Sequence, residues 1–315
     1  MNDIYSVLTP DEREIFTLRA LYSQYGYKQY KMSKFEEYDL YFKNKDFLIS
    51  ENVITFTDTD GRLLALKPDV TLSIVKSSRA SAEKLIKAQY NENVYRISDG
   101  TNSFKELMQV GLECIGEVSE KEICEVIMLA AKSLYTISEK NILAISNTDV
   151  AKSVIAHFNM SEDMSRDMLT LLGEKNSSEM REMALSAGIS ENDAALIASL
   201  AEIYGTPCDV LPRLDAFRLD DACCSAIDGL ISVITSLESL GVRENLKIDF
   251  SIVSDTSYYN GIAMQGFIEG IPASVISGGQ YDNLMKKMGR ATRAIGFAVY
   301  LDELERFFAA KEGEI

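Results

Sequence analysis

Gln109, Gly111 and Glu113 alternate along the run at residues 104–115, so in an extended chain an amide, a glycine and a carboxylate share one face. A glycine between two polar side chains leaves a depression. A small ligand with an amino group suits it, because an ammonium wants a carboxylate and a carbonyl oxygen. Met108, Val110, Leu112 and Cys114 point the other way and form the natural core face. The same alternation also describes polar residues facing water from an edge strand, and on composition alone that plainer reading is the stronger. A second candidate pair is Asp69 and Thr71 in Lys67-Pro68-Asp69-Val70-Thr71, where the chain leaves one strand and enters a helix running to about residue 78. Strand-to-helix junctions favour ligand groups, yet either residue can equally be a plain N-cap. Tyr258 and Tyr259, read alone, are ordinary strand aromatics.

The elements that must position these residues follow from periodicity and turn chemistry. Residues 94–97 and 104–115 read as an antiparallel hairpin closed over the turn-forming residues 98–102. A second hairpin pairs 53–57 with 62–66 across Asp60-Gly61. Thr9, Pro10 and Glu12 carry the signature of a helix start, and Gly26 ends that helix. Residues 119–136 are amphipathic. From 148 to 205 the pattern is short helices with Ser161, Ser177/Ser178 and Ser190 as caps and almost no strand signal, which reads as a helical insertion outside the ligand pocket. A helix at about 219–241 returns to a strand-rich end. There 247–253 is a strand, 258–267 pairs with 273–277, Gly278-Gly279 breaks the chain, and 280–288 is helical. A short strand at 294–297 then runs into a last helix. Hairpins segregated from helices argue an α+β fold on a largely antiparallel sheet.

Charge and composition remove several function classes. A net charge of −16 with no long Lys/Arg run is wrong for a general nucleic-acid binder. The lone His157 rules out a multi-histidine metal centre, and the odd set of five cysteines lacks metal spacing. No run reads as a membrane span, and the first residues lack the basic and apolar regions of a signal peptide, so the expectation is a soluble cytoplasmic protein.

Three separated segments resemble one family. NVYRISDGTNSFKELMQVGLECIG resembles motif 2 of class II aminoacyl-tRNA synthetases in its histidyl form. LLALKPDVT resembles that family's arginine-proline-glutamate-glycine-threonine segment. SDTSYYNG, SGGQYDNLM and AIGFAVYLDEL resemble its histidine-specific loop and motif 3. The resemblance implies a class II synthetase-like antiparallel sheet flanked by helices. Residues 1–147 and 206–315 would form the core, 148–205 the helical insertion, and no anticodon-binding domain is expected. It makes Asp69, Thr71, Arg96, Gln109, Glu113, Tyr258 and Tyr259 a histidine-binding set.

The departures matter as much. Ser254 and Glu303 stand where the family's activating arginines belong, and Asp99, Thr101 and Ser103 where its motif-2 loop is basic, leaving Lys105. Lys67 replaces an arginine. Phosphoryl chemistry needs cations at the developing negative charge. The pattern therefore resembles the regulatory subunits of short-form ATP phosphoribosyltransferase. These imply no catalytic residue, no cofactor and no metal. They also imply free L-histidine as feedback ligand, and a self-dimer within a hetero-oligomer that contains the catalytic subunit and no nucleic acid or membrane. A catalytic synthetase-like ligase and a synthetase-like sensing module are the alternatives.

Overall fold

The computed structural model describes residues 7–48, 53–78, 84–97, 103–253 and 259–313. Its strands in chain order are β1 (Lys28–Gln29), β2 (Phe35–Glu37), β3 (Thr55–Thr57), β4 (Leu63–Leu66), β5 (Leu85–Ile97), β6 (Phe104–Gly116), β7 (Asn141–Asn147), β8 (Tyr204–Gly205), β9 (Leu246–Asp249), β10 (Ile262–Ile268), β11 (Ile276–Gln280) and β12 (Arg293–Tyr300). The helices are α1 (Pro10–Gln24), α2 (Tyr38–Phe42), α3 (Thr71–Ser78), α4 (Glu120–Ile137), α5 (Thr148–His157), α6 (Glu162–Gly173), α7 (Ser177–Ser186), α8 (Glu191–Ser199), α9 (Pro207–Val210), α10 (Asp221–Ser239), α11 (Asp282–Lys287) and α12 (Leu301–Gly313). Among the described residues nine strands form one sheet in the order β1-β5-β6-β12-β11-β10-β7-β9-β8, and β2-β4-β3 form a second. Only β1/β5 and β7/β9 are parallel, so the sheet is antiparallel through its centre.

The β5–β6 hairpin is the spine of this sheet, paired residue for residue from Leu85↔Gly116 to Ile97↔Phe104. Its first strand starts at Leu85, well before residue 94. The stretch ahead of Val94 hides its strand character behind Lys87, Gln89 and other polar residues. Those groups find partners within the protein: Gln89 Nε2 donates to the Tyr27 carbonyl (2.7 Å) and Lys87 pairs with Glu125 (2.6 Å). α1 begins as its capping residues dictate, with the Thr9 amide donating to Glu12 (3.0 Å).

Both faces of the hairpin are covered. Val110, Leu112 and Cys114 enter the main core against Leu18 and Tyr22 of α1 and Ile127 and Leu134 of α4. On the other face, Ile115 of β6 joins Ala88, Tyr90 and Val94 of β5 beneath Leu72 and Val75 of α3 and Leu284 and Met285 of α11. The Gln109/Glu113 face is therefore no water-facing edge, and Gln109 and Glu113 are both buried. Nor is Gly111 an open depression. Its cross-strand partner Tyr90 lays its phenol over the glycine, a contact that only the missing side chain permits.

Elsewhere the chain departs from its sequence reading in several places, among them the expected strand at 247–253, which ends at Asp249. Gly278 and Gly279 do not break the chain; they sit inside β11, where a side chain on Gly278 would press into the Gly296 carbonyl of β12. The 148–205 segment is mostly helical, but Tyr204–Gly205 is an edge strand on β9, and Val150, Ala151, Val154 and Ile155 of α5 belong to the main core. Asn176, one residue ahead of the expected serines, caps α7 by accepting from the Glu179 amide, while Ser161 and Ser190 cap α6 and α8. α10 is long and apolar enough by length and composition to cross a membrane. Its Ile227, Leu230, Ile234 and Leu237 are buried in the main core, as in an ordinary core helix.

The tight seat of Tyr90 on Gly111 gives a stability expectation. Gly111→Ala would push a methyl into both the Tyr90 hydroxyl and the Phe297 carbonyl, and a backbone atom cannot rotate away. A loss of about 1–3 kcal/mol is expected, read as a lower denaturation midpoint at unchanged slope. An alanine variant as stable as the parent would show the packing to be looser than described.

Candidate functional site

Three cross-strand rows build a floor on the α3–α11 face of the sheet. Glu113 lies between Ala88 and Gly296, Gly111 between Tyr90 and Ala298, and Gln109 between Glu92 and Tyr300. Ser277 of β11 continues the middle row beside Ala298. Gly, Ala and Ser in the centre keep the floor low. Gly296 in particular can carry no side chain, because a methyl there would overlap the Glu113 carboxylate. Over this floor is a cavity of about 350 Å³, at the small end of ligand pockets, which run from roughly 300 to 1,000 Å³.

Six of the seven residues singled out in the sequence line this cavity: Asp69, Thr71, Arg96, Gln109, Glu113 and Tyr259. Tyr258 lies outside the described residues, as do Ser254, Asp99 and Thr101. Tyr90, Tyr281, Tyr300 and Ser277 also line it and were not expected as site residues. Tyr281 and Tyr300 sat within the quoted motif-3 segments, where their distance from Glu113 in sequence concealed the contact.

Glu113 is held by two neutral donors. Thr71 Oγ1 donates to Oε1 (2.7 Å) and the Tyr281 hydroxyl donates to Oε2 (2.5 Å). Thr71 thus serves the carboxylate rather than a helix end. Asp69 does cap α3, accepting from the Leu72 amide (2.9 Å), and still faces the cavity. Burial pushes the Glu113 pKa up to about 8; the two hydroxyls oppose this and the Asp69 charge adds to it. Asp69 is likewise raised by burial, with the Leu72 amide and Arg96 pulling it back. Arg96 is anchored through Nε to the Pro68 carbonyl (3.0 Å). The Gln109 side chain is almost fully enclosed, and its Nε2 has no hydrogen-bond partner among the described residues. Tyr259 and Tyr300 both meet the Ser277 hydroxyl, and burial raises both phenols, so they remain neutral.

Arg96 lies further along the cavity. Beyond the lining, Asp302 in the first turn of α12 is exposed, and its carboxyl is raised by partial burial and pulled back by Arg96 and Lys105. Neighbouring Glu303, expected from the sequence to be the intruding acid, is exposed too, and neither acid lines the cavity. Lys67 points away, fully buried and paired with Glu92 (2.5 Å). One end of the pocket thus suits an ammonium, and the arginine beyond it has an acid acting on it from outside the lining.

Residues 11–304 match the family model described as histidyl-tRNA synthetase. The chain belongs to the histidyl-tRNA synthetase family. Within that family it is similar to an ATP phosphoribosyltransferase regulatory subunit of Caldanaerobacter subterraneus subsp. tengcongensis, 29% identical over 91% of this chain and 75% of the relative. It is also similar to a crystal structure from Bacillus halodurans titled as an ATP phosphoribosyltransferase regulatory subunit/histidyl-tRNA synthetase. That match has a TM-score of 0.83 at 25% identity and covers 93% of this chain and 78% of that one. The HisG:HisZ ATP phosphoribosyl transferase complex of Thermotoga maritima shares the fold, with a TM-score of 0.72 at 18% identity over 91% of this chain and 96% of that one. The α+β fold with a largely antiparallel sheet is that of the histidyl-tRNA synthetase family.

The buried acid has a stability signature. A pKa raised on folding means the folded chain holds the proton more tightly, so this contribution is full below the ordinary glutamate range near 4.5 and is lost as pH rises through about 8. Glu113→Gln keeps the shape without the charge. The empty variant is expected to be more stable than the parent at pH 8, by on the order of a few kcal/mol, with the difference shrinking toward pH 5. Thermal melts across that range decide it; parallel pH profiles would show Glu113 to titrate normally.

Proposed function

We propose that this chain is the non-catalytic regulatory subunit of a short-form ATP phosphoribosyltransferase, and that it binds free L-histidine in the cavity over Glu113. The observation carrying the reading is the asymmetry of the pocket. The amino-group end has Glu113, Asp69 and the Gln109 amide with unfilled hydrogen-bonding capacity, while Arg96, where phosphates would need cations, has the Asp302 carboxylate acting on it from outside the lining. The histidine ammonium goes to Glu113 and Asp69, with the Gln109 amide turned to offer its oxygen. Its carboxylate goes to Arg96 and its imidazole to the slot beside Tyr259. The names borne by the Caldanaerobacter and Bacillus halodurans relatives support the regulatory role, and the Thermotoga maritima complex supports a catalytic-subunit partner. Inhibition then requires histidine to favour one arrangement of the assembly over another, with a coupling on the order of 1–3 kcal/mol.

A second reading, amino-acid activation, draws on Arg96 and the Gly278-Gly279-Gln280-Tyr281-Asp282 segment. Histidine-dependent ATP–pyrophosphate exchange separates the two. None is expected of the pure chain, and exchange above background would overturn the regulatory reading. Calorimetry with L-histidine tests the pocket itself. Glu113→Gln removes a charge-assisted hydrogen bond of about 1.5–3 kcal/mol, so the affinity should fall roughly 10- to 100-fold. Equal affinity in the variant would place the ligand elsewhere.

A further inference from the structure

Glu113 differs from Asp69, the other acid in the cavity lining, in what holds it. Its oxygens accept from Thr71 of α3 and from Tyr281, which immediately precedes α11, and it has no ion pair among the described residues. Gly296 of β12 closes against one oxygen, and Ala88 of β5 lies beside it across the strand pair. The titratable groups around it are Asp69 at the start of α3, Tyr90 of β5, Tyr281, and Tyr259 ahead of β10, with Tyr300 of β12 and Arg96 of β5 further along the cavity. The cation of the set, Arg96, is anchored on Pro68 and acts on Asp69, Tyr300 and Asp302. A carboxylate buried this deeply, with another carboxylate as its charged neighbour and only two hydroxyl donors to offset them, is costly to ionise until a cation arrives.

We infer that the empty pocket stores a proton on Glu113 and that docking of an α-ammonium group expels it, so that the site exchanges one proton for one amino group. The balance is simple: the acid gives its proton to the buffer, the carboxylate so formed accepts from the ligand's ammonium, and no bond to carbon is made or broken. The upward shift of the Glu113 pKa to about 8 agrees with this. Two consequences follow for regulation. Affinity for the ligand rises with pH up to about 8, and acidification releases it even where the ligand's own charge is unchanged. A molecule with the same side chain and carboxylate but no amino group gains nothing from Glu113, because it leaves the acid neutral.

The inference rests on the histidine reading above, and the test separates the two. Infrared difference spectra between the empty parent and Glu113→Gln at pH 7.2 should contain an acid carbonyl stretch that the variant lacks. Calorimetry with L-histidine at the same pH, in two buffers of different ionisation enthalpy, counts protons. Close to one proton released per histidine is expected for the parent and none for Glu113→Gln, which is titrated at higher concentration to offset its weaker binding. Absence of the acid band, or binding without proton release, overturns the exchange while leaving histidine binding intact. An acid band in a protein that takes up no histidine overturns the proposed function, and the ligand half of this inference with it.

Discussion

A carboxylate buried on the covered face of a sheet sets the terms for the rest of this molecule. Glu113 is enclosed because β5, β6 and β12 lay Ala88, Gly296 and Gly111 around it, and because α3 and α11 roof that face with apolar side chains. Such a group destabilises a fold unless its lone pairs are met. Thr71 of α3 and Tyr281, immediately ahead of α11, meet them, so the same contacts that make the acid tolerable also fix the roof to the floor. The glycines follow from this. Gly296 leaves room for the carboxylate, Gly278 lets β11 approach β12, and Gly111 lets Tyr90 close the cavity wall.

The stability given up at Glu113 has a use only if a cation comes to it. Burial and the nearby Asp69 favour a proton or an ammonium at Glu113, against the two hydroxyl donors, and that end offers nothing to an anion. Further along, Asp302 acts on Arg96 from outside the lining and weakens the field a polyphosphate would need. The pocket is thus electrostatically one-sided, and that one-sidedness separates holding an amino acid from activating one. Proteins that surrender stability at a binding site in this way are common, since ligand binding returns it.

Much of this was legible in the sequence, for identifiable reasons. Capping residues at Thr9, Ser161 and Ser190 act locally and fixed their helix starts, and Asp60-Gly61 marked its hairpin. Six site residues were visible because they lie in short segments whose order resembles the family. What escaped depends on contacts distant in the chain. The early start of β5 was masked by polar residues whose partners, Tyr27 and Glu125, lie elsewhere. Gly278-Gly279 looked like a break because only the flanking strands, β12 at Gly278 and β10 at Gly279, explain why side chains are missing there. Tyr281 was unremarkable until the fold placed it 2.5 Å from Glu113, 168 positions away. The covered second face of β6 was invisible in the same way, since alternation reports direction and not what lies beyond.

The central claim is that this pocket reads free histidine on behalf of another subunit. The most direct measurement is the rate of a short-form ATP phosphoribosyltransferase catalytic subunit reconstituted with this chain, followed as L-histidine is raised. Adding the chain is expected to raise the rate, and histidine then to lower it. The inhibition curve should move to higher histidine when Glu113 is replaced by glutamine. A reconstituted enzyme that histidine inhibits equally with the parent and the Glu113→Gln chain, or not at all, would contradict it.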